Sequence, residues 1–498
     1  MRDIIALKSI ELAEHKCQIT DSNGGQIISA NPFELLAFIA DHDNDSFKIT
    51  YNLAEFMKPI KQLFPGEIRK GLIEKEKINW QDFRLFYPDI KGGIFGVNHR
   101  AMVNTHGNFY QEVKHDVTLY DIALYCNGDK LKSIEDIKTK GVELLKTLEH
   151  MGFEPNKLTT PAAIYESCIL SKLPFATIYN LPDECLDFME WAANYIREWR
   201  SVYKVGVFPY GVAKDYDLSS AYPSIIAGLP NMIDAELHYS DTGHIPDNAE
   251  WGLVRANIDV KADISFLVSD DEICRKGKYE DLISNEEIDY CRKTGKADIE
   301  PLEAWYFTLP KRQMVFDYSM RRLYQMRKGS DLQAMIAKGQ SVSVWGKMHE
   351  MRGDTPGKYC NFIYAAMVAS RCRLKVMQFI DDNQLHEDLV SVAVDGCVAT
   401  KDIPGIPHAK EFGKWRKGPD SEAIILDSDF QWIGDKRQLG VTASELIAEI
   451  KAHPAKQYWH NVYLALLDQD RVFNKLPRNG YELLKQVYDS IILESKDN

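Results

Sequence analysis

The sequence predicts an α+β protein of several domains, with a small α/β region ahead of a larger region of short strands and helices. Three observations carry this expectation. The 498 residues exceed what one hydrophobic core ordinarily organises, so about two to four domains or subdomains are expected. The first 155 or so residues alternate strand-like and helix-like periods, as a small α/β domain does. Beyond them, a basic helical pair between Lys311 and Met348 is set between two strand-rich stretches.

The elements follow in order. "HKCQITDSNGGQIISA" reads as a hairpin turning at its Asn-Gly-Gly. "SFKITYNLAEFMKPIKQLF" reads as a strand feeding a helix, and "EVKHDVTLYDIALYCNGDKLKSIEDI" repeats that order. Residues 156–204 look helical, with Leu186, Met189, Ala193 and Ile196 at helical spacing. "VGVFPYG" and "WGLVRANIDV" look like strands. "SNEEIDYCRKTG" has the marks of a capped helix, with Ser284 or Asn285 at the cap, acids in the first turn and glycine after the end. The basic run breaks at Gly329, and Ser330 can cap the second helix, which predicts an antiparallel helical hairpin. "NFIYAAMVASRCRLKVMQFIDDN" is helical. "DLVSVAVDGCVAT" is two apolar strand halves around Asp395-Gly396, read as the hairpin turn.

Composition excludes several classes. An apolar share of 45% and a charged share of 27% are those of a globular protein. No window approaches the roughly 18 apolar residues of a membrane span, so no membrane partner is expected. The start, "MRDIIALKSIELAEHK", acquires acids too early for a secretory signal. Nine scattered cysteines without a C-x-x-C pair point to reduced thiols in a cytoplasm, not to a disulfide or zinc framework. The net charge of −13 argues against indiscriminate coating of nucleic acid. It leaves a local site open, and Lys311–Arg352 holds nine basic against three acidic residues.

Two acids stand out. Asp217, in "KDYDLSSAYPSII", ends an extended run. Its carboxylate would lie at a sheet edge, with the amides of Ser219 to Tyr222 lining a phosphate-sized hollow. Asp395 sits at the tip of an apolar hairpin. Strands could hold the two acids together, as two-metal phosphoryl transfer requires of carboxylates that bridge cations about 3.5–4 Å apart. Magnesium suits such oxygen ligands. On the second helix of the basic pair, Lys338 and the Trp345-Gly346 pair fall within one sector, and Arg327 ends the facing helix. A cation for phosphate and a flat ring for a base are therefore within one element's reach.

Taken together these segments resemble family B DNA polymerases, and most closely their compact phage and protein-primed branch. "DLSSAYPS" is similar to the D-x-x-S-L-Y-P-S motif, "KGQSVSVWG" to K-x-x-x-N-S-x-Y-G, and "AVDGCV" to D-T-D-S, in the family's order and over about residues 200 to 440. The resemblance implies a right-hand polymerase: an antiparallel-sheet palm, helical-hairpin fingers and a small helical thumb, behind an N-terminal RNase H-like α/β domain. The implied division is 1–155 exonuclease-type domain, 156–204 helical connector, 205–308 and 347–435 palm, 309–346 fingers and 436–498 thumb. Asp217 and Asp395 would be the catalytic, metal-binding carboxylates, with Leu218 offering its carbonyl. The cofactor would be magnesium, with manganese as an alternative. Ser219, Ser220 and Ala221 would present amides to the triphosphate. Tyr222 would lie under the incoming sugar and clash with a 2′-hydroxyl. Lys338 would bind the triphosphate, helped by Arg327, Arg322 or Lys328, and Trp345 and Gly346 would pack near the nascent base pair. The implied partners are a DNA primer-template, deoxynucleoside triphosphates, and a terminal protein or replication accessory factors.

The departures are specific. Ala393 stands where the third motif has its first aspartate, Val342 where the second has asparagine, and Trp345 where it has tyrosine. "FQW" lies roughly where a primer-holding lysine-x-tyrosine is usual. The span from Gly346 to Asp395 leaves little room for the palm insertion linked to strand displacement. "ITYNLAEF" faintly resembles the second exonuclease motif, but "SIEL" offers Glu11 without an aspartate partner, so an exonuclease-like fold without effective proofreading is expected. Two other functions stay open: a primase-like or primer-independent polymerase, and an inactive relic that binds DNA as a scaffold.

Overall fold

A computed structural model describes residues 3–13, 15–40, 46–75, 77–80, 83–86, 94–106, 109–126, 129–155, 158, 160–181, 185–268, 276–425, 431–436 and 442–452. The chain forms two compact units, Met1–Leu173 with Arg322–Val344, and Pro174–Arg321 with Trp345–Asn498. These units cut across the expected boundaries. The 156–204 connector is divided between them, and most of the 309–346 hairpin belongs with the N-terminal segment.

The first unit is built on an eight-stranded mixed sheet. Ile4–Leu12, Lys16–Asp21 and Gln26–Ser29 form an antiparallel meander. Phe47–Thr50 then adds parallel to Ile4–Leu12, and Phe109–Asp121 parallel to Phe47–Thr50. Three further antiparallel strands, Ile94–His106, Phe83–Phe86 and Lys77–Trp80, extend the edge. Burial of Leu7, Ile19, Leu36, Met57, Ile60 and Leu119 makes the core, and apolar burial of this kind supplies most of the driving force. Asp121 is buried, and its carboxylate is used by main chain: it accepts from the amides of Asn52, Leu53 and Ala123. Glu11 is exposed.

Among the described residues the second unit holds four antiparallel sheets, the smallest of them the two-stranded ribbon of Met351–Arg352 and Thr355–Pro356. A five-stranded sheet runs in the order Trp415–Lys417, Lys214–Leu218, Gly396–Ala399, Leu389–Ala393, Arg200–Val202. A four-stranded sheet contains Glu236–Ser240, Ala297–Thr308, Trp251–Val260 and Gly277–Ser284, and a three-stranded one Gly206–Phe208, Ala423–Ile425 and Gln431–Ile433. The 21-residue helix Phe362–Asp382 is buried along most of its length. Its Met377, Phe379 and Ile380 pack in one core with Tyr216, Val392 and Cys397 of the five-stranded sheet. Within that core Arg373 pairs with Glu287 at 2.9 Å, and the Tyr195 hydroxyl donates to the same carboxylate. A buried ion pair holds its geometry only when hydrogen bonds satisfy it in this way.

Local signals correspond to local structure. Ser284 caps Asn285–Thr294 in a capping box with Glu287, and Gly295 ends the helix in the left-handed conformation. The helices Asp317–Met326 and Asp331–Met348 flank Gly329, and the Ser330 hydroxyl accepts from Gln333 N. The helix Leu186–Tyr195 differs from expectation by a rotation. Its buried residues are Phe188, Met189, Ala192 and Tyr195, while Leu186 is 54% exposed and Ile196 has left the helix. Of the expected thumb, Ala443–Ala452 is a helix, and positions 453–498 lie outside the described residues. Among the described residues no helix is long and apolar enough to cross a membrane.

Candidate active site

The site begins with strand alternation. In Lys214–Leu218, Tyr216 and Leu218 are buried, which turns Asp215 and Asp217 to the opposite face of the sheet. Asp217 pairs with Gly396 on one side and Arg416 on the other. Asp395 precedes Gly396, and its carbonyl accepts from Leu218 N at 3.0 Å. Strand pairing thus brings Asp217 and Asp395 together.

The hairpin turn differs from the expected Asp-Gly. Ala393 pairs with Gly396, so Val394 and Asp395 form the loop. Val394 adopts φ +59°, and Asp395 N donates to Ala393 O at 2.8 Å. A β-branched residue in the left-handed region is strained. The strain is held in place by Val394 N donating to Trp199 O at 2.9 Å and by the Cys372 thiol donating to Val394 O at 3.6 Å.

The electrostatics follow from the crowding of acids. Burial pushes the Asp395 carboxyl up to about 6, the Asp217 charge adds to it, and Glu198 adds further, while a main-chain hydrogen bond and Lys436 pull it back. Asp217, 31% exposed, receives Arg416 Nε on its Oδ2 at 2.9 Å. Neither Glu198 nor Arg416 belongs to a sequence motif. "REWRS" and "KWRK" carry no local signal, and both residues reach the site only through long-range pairing.

The turn from strand to helix passes through Ser220 at φ 57° and ψ 47°. Of the three amides expected to face a triphosphate, that of Ser219 is engaged elsewhere: it donates to Lys414 O at 2.9 Å. Ser219 is buried, and its hydroxyl has no partner among the described residues. Ala221 opens the helix Ala221–Ala227, where first-turn N–H groups lack an intrahelical acceptor. Tyr222 follows. Its hydroxyl donates to Glu198 Oε1 at 2.8 Å, and its ring lies 4.7 Å from that of Trp345, tilted by 58°. Burial, with Cys372 and Glu198 nearby, pushes its phenol well up, so it stays a donor. Trp345 is itself held by donation from its Nε1 to Ala365 O at 3.1 Å. A Cβ built on Gly346 meets no heavy atom within 4 Å. Lys338 and Arg327 lie in the first unit, Lys338 on the same helix as Trp345 and Gly346, and burial lowers the Arg327 pKa.

Among the described residues no three His, Cys, Asp or Glu side chains converge as a ready-made metal site. The donors at hand include the Asp217 and Asp395 carboxylates, and the Leu218 carbonyl is the one the motif resemblance adds. That set fits magnesium, which is commonly held by one or two carboxylates together with substrate phosphates and water. Burial first, and then the charges of Asp217 and Glu198, raise the Asp395 carboxyl, and a bound cation would favour its charged form.

The described elements form a mixed α+β fold of several antiparallel sheets and helices. Solved structures of phi29 DNA polymerase share it. The ternary complex with primer-template DNA and incoming nucleotides matches with a TM-score of 0.57 and 13% identity over 86% of this chain and 87% of that one. The post-translocation binary complex with primer-template DNA matches at 0.56 and 13%, and the complex with single-stranded DNA at 0.55 and 12%, over the same shares. No protein-family model and no curated protein sequence matches this chain.

Proposed function

We propose that the chain is a template-directed DNA polymerase that adds deoxynucleotides to a primer 3′-hydroxyl. The reading is supported above all by Asp217 and Asp395, brought together on paired strands within a fold shared with phi29 DNA polymerase. The primer 3′-oxygen attacks the α-phosphorus in line, a new P–O bond forms, and pyrophosphate leaves. Asp217, Asp395 and the Leu218 carbonyl are the groups that would hold magnesium or manganese. Such ions, in a two-metal arrangement, supply a more acidic 3′-hydroxyl and charge neutralisation on the triphosphate. The chain's own contribution is positioning and electrostatics. The Ser220 and Ala221 segment faces the triphosphate, Tyr222 underlies the sugar, and Trp345 with Gly346 borders the nascent pair, while the motif resemblance assigns Lys338 and Arg327 to the triphosphate. The N-terminal unit is read as exonuclease-like without effective 3′–5′ proofreading, because its sequence lacks the D-x-E strand.

The test is primer extension with deoxy- and ribonucleotides, with and without primer. Asp217→Asn and Asp395→Asn should each abolish extension while the protein stays folded, and full activity in either refutes the site. A labelled single strand should survive magnesium without nucleotides, and rapid 3′ trimming overturns the reading of the first unit.

One observation favours a second reading. Arg416 already pairs with Asp217, and Ala393 withholds a further acid. A relic that binds DNA as a scaffold would show tight primer-template binding with no incorporation under magnesium or manganese.

A further inference from the structure

We propose that Glu198 is the positioning residue of Tyr222, and that the Arg200–Glu198–Tyr222 chain sets how strictly the site distinguishes deoxyribose from ribose. The inference rests on the polymerase reading above and assigns a function to a residue outside every motif.

The geometry is closed at both ends. Tyr222 donates to Glu198 Oε1 at 2.8 Å. The other oxygen, Oε2, is gripped by Arg200, at 2.7 Å from Nη2 and 3.3 Å from Nε. Glu198 is only 18% exposed, so the bond is little diluted by water. The neighbouring Trp199 carbonyl takes the Val394 amide, which ties the segment carrying Glu198 to the hairpin carrying Asp395. Across the sheet, Ala393 lies opposite both Gly396 and Arg200. The row that runs Arg416, Asp217, Gly396, Ala393, Arg200 thus has no acid at position 393, and the Glu198 charge acts on Asp395 nearby.

The physical argument concerns stiffness. A ring that excludes a 2′-hydroxyl by collision works only while moving the ring costs more than the collision. Trp345 limits movement of the Tyr222 face, but nothing in that contact fixes the phenol end. The charge-assisted bond to Glu198 does so. Breaking it is part of the cost of letting a ribonucleotide in, so Glu198 sets a ceiling on selectivity.

The experiment compares Glu198→Ala, Glu198→Gln, Tyr222→Phe and the Glu198→Ala/Tyr222→Phe double variant. The readout is the ratio of kcat/KM for deoxy- over ribonucleotide in primer extension, with melting temperatures recorded. Glu198→Ala and Tyr222→Phe should each lower the ratio by about tenfold, the loss of one hydrogen bond to a charged group. The double variant should fall no further than either single change, because both remove the same bond. Glu198→Gln keeps an acceptor and should recover most of the ratio. An unchanged ratio in Glu198→Ala, or a double variant equal to the product of the singles, overturns the proposal. Should Glu198→Ala fail to fold, Tyr222→Phe decides alone. A parent chain that extends no primer defeats the polymerase reading, but it does not decide this inference. In that case equilibrium binding of dATP and ATP to the primer-template complex reads the preference without turnover. A smaller preference for dATP in Tyr222→Phe supports the role of Glu198, and no preference in the parent, or an equal one in both, rejects it.

Discussion

Gly396 lies so close to the Tyr216 carbonyl that a Cβ at position 396 would stand 2.7 Å from that oxygen. Its φ is not in the left-handed region, so the missing side chain serves close strand approach and not the turn. This approach sets the hairpin tip, and with it Asp395, against the strand that carries Asp217.

Gly396→Ala should therefore push the hairpin off its neighbour. The expected cost is about 1–3 kcal/mol, typical of overpacking a tight contact, seen as a lower melting temperature. Primer extension should fall with it. An unchanged melting temperature would mean the strands separate without cost.

Val394 holds a left-handed conformation that asparagine adopts more readily. Val394→Asn should raise the melting temperature by roughly 2–4 °C. A fall would show that the valine's side-chain contacts outweigh the relief of backbone strain.

Asp395 has a folded-state carboxyl pushed up to about 6 from 3.8. A raised acid contributes stability that is fully present below the unfolded value and is lost as pH rises through the folded one. In metal-free buffer, Asp395→Asn should melt above the parent at pH 8, and the two should converge near pH 4. A variant that melts lower at pH 8 would contradict the crowding of Asp395 by burial and by Asp217.

Arg416 places a fixed positive charge on Asp217. Arg416→Gln should lower the magnesium concentration needed for half-maximal extension, because a cation no longer competes with the guanidinium for the carboxylate. A higher requirement would show instead that Arg416 orients Asp217 for binding.

Much of the site was legible because its signals are local. Ser284 and Gly295 bracket a helix through bonds spanning three or four residues, and Gly329-Ser330 separates two helices in the same way. Asp217 could be placed at a strand end, and Asp395 at a hairpin tip, from alternation and turn chemistry. The details of that tip were not legible. Asp-Gly is a common turn pair, and only the pairing of Ala393 with Gly396 shifts the loop to Val394-Asp395. The expected amide of Ser219 was lost for a similar reason, since its acceptor, Lys414, comes from distant sequence. Glu198 and Arg416 had no signal of their own.

Taken alone, the order of residues determined where helices start and stop, which strand faces are apolar, and which acids stand at strand ends. These properties depend on neighbours a few positions away. Tertiary structure decided which strands lie side by side, and so put Arg416 on Asp217 across 199 positions of chain and Glu198 on Tyr222. The physical reason is that strand partners are selected by burial and register over the whole sheet, and no short window of sequence contains that information.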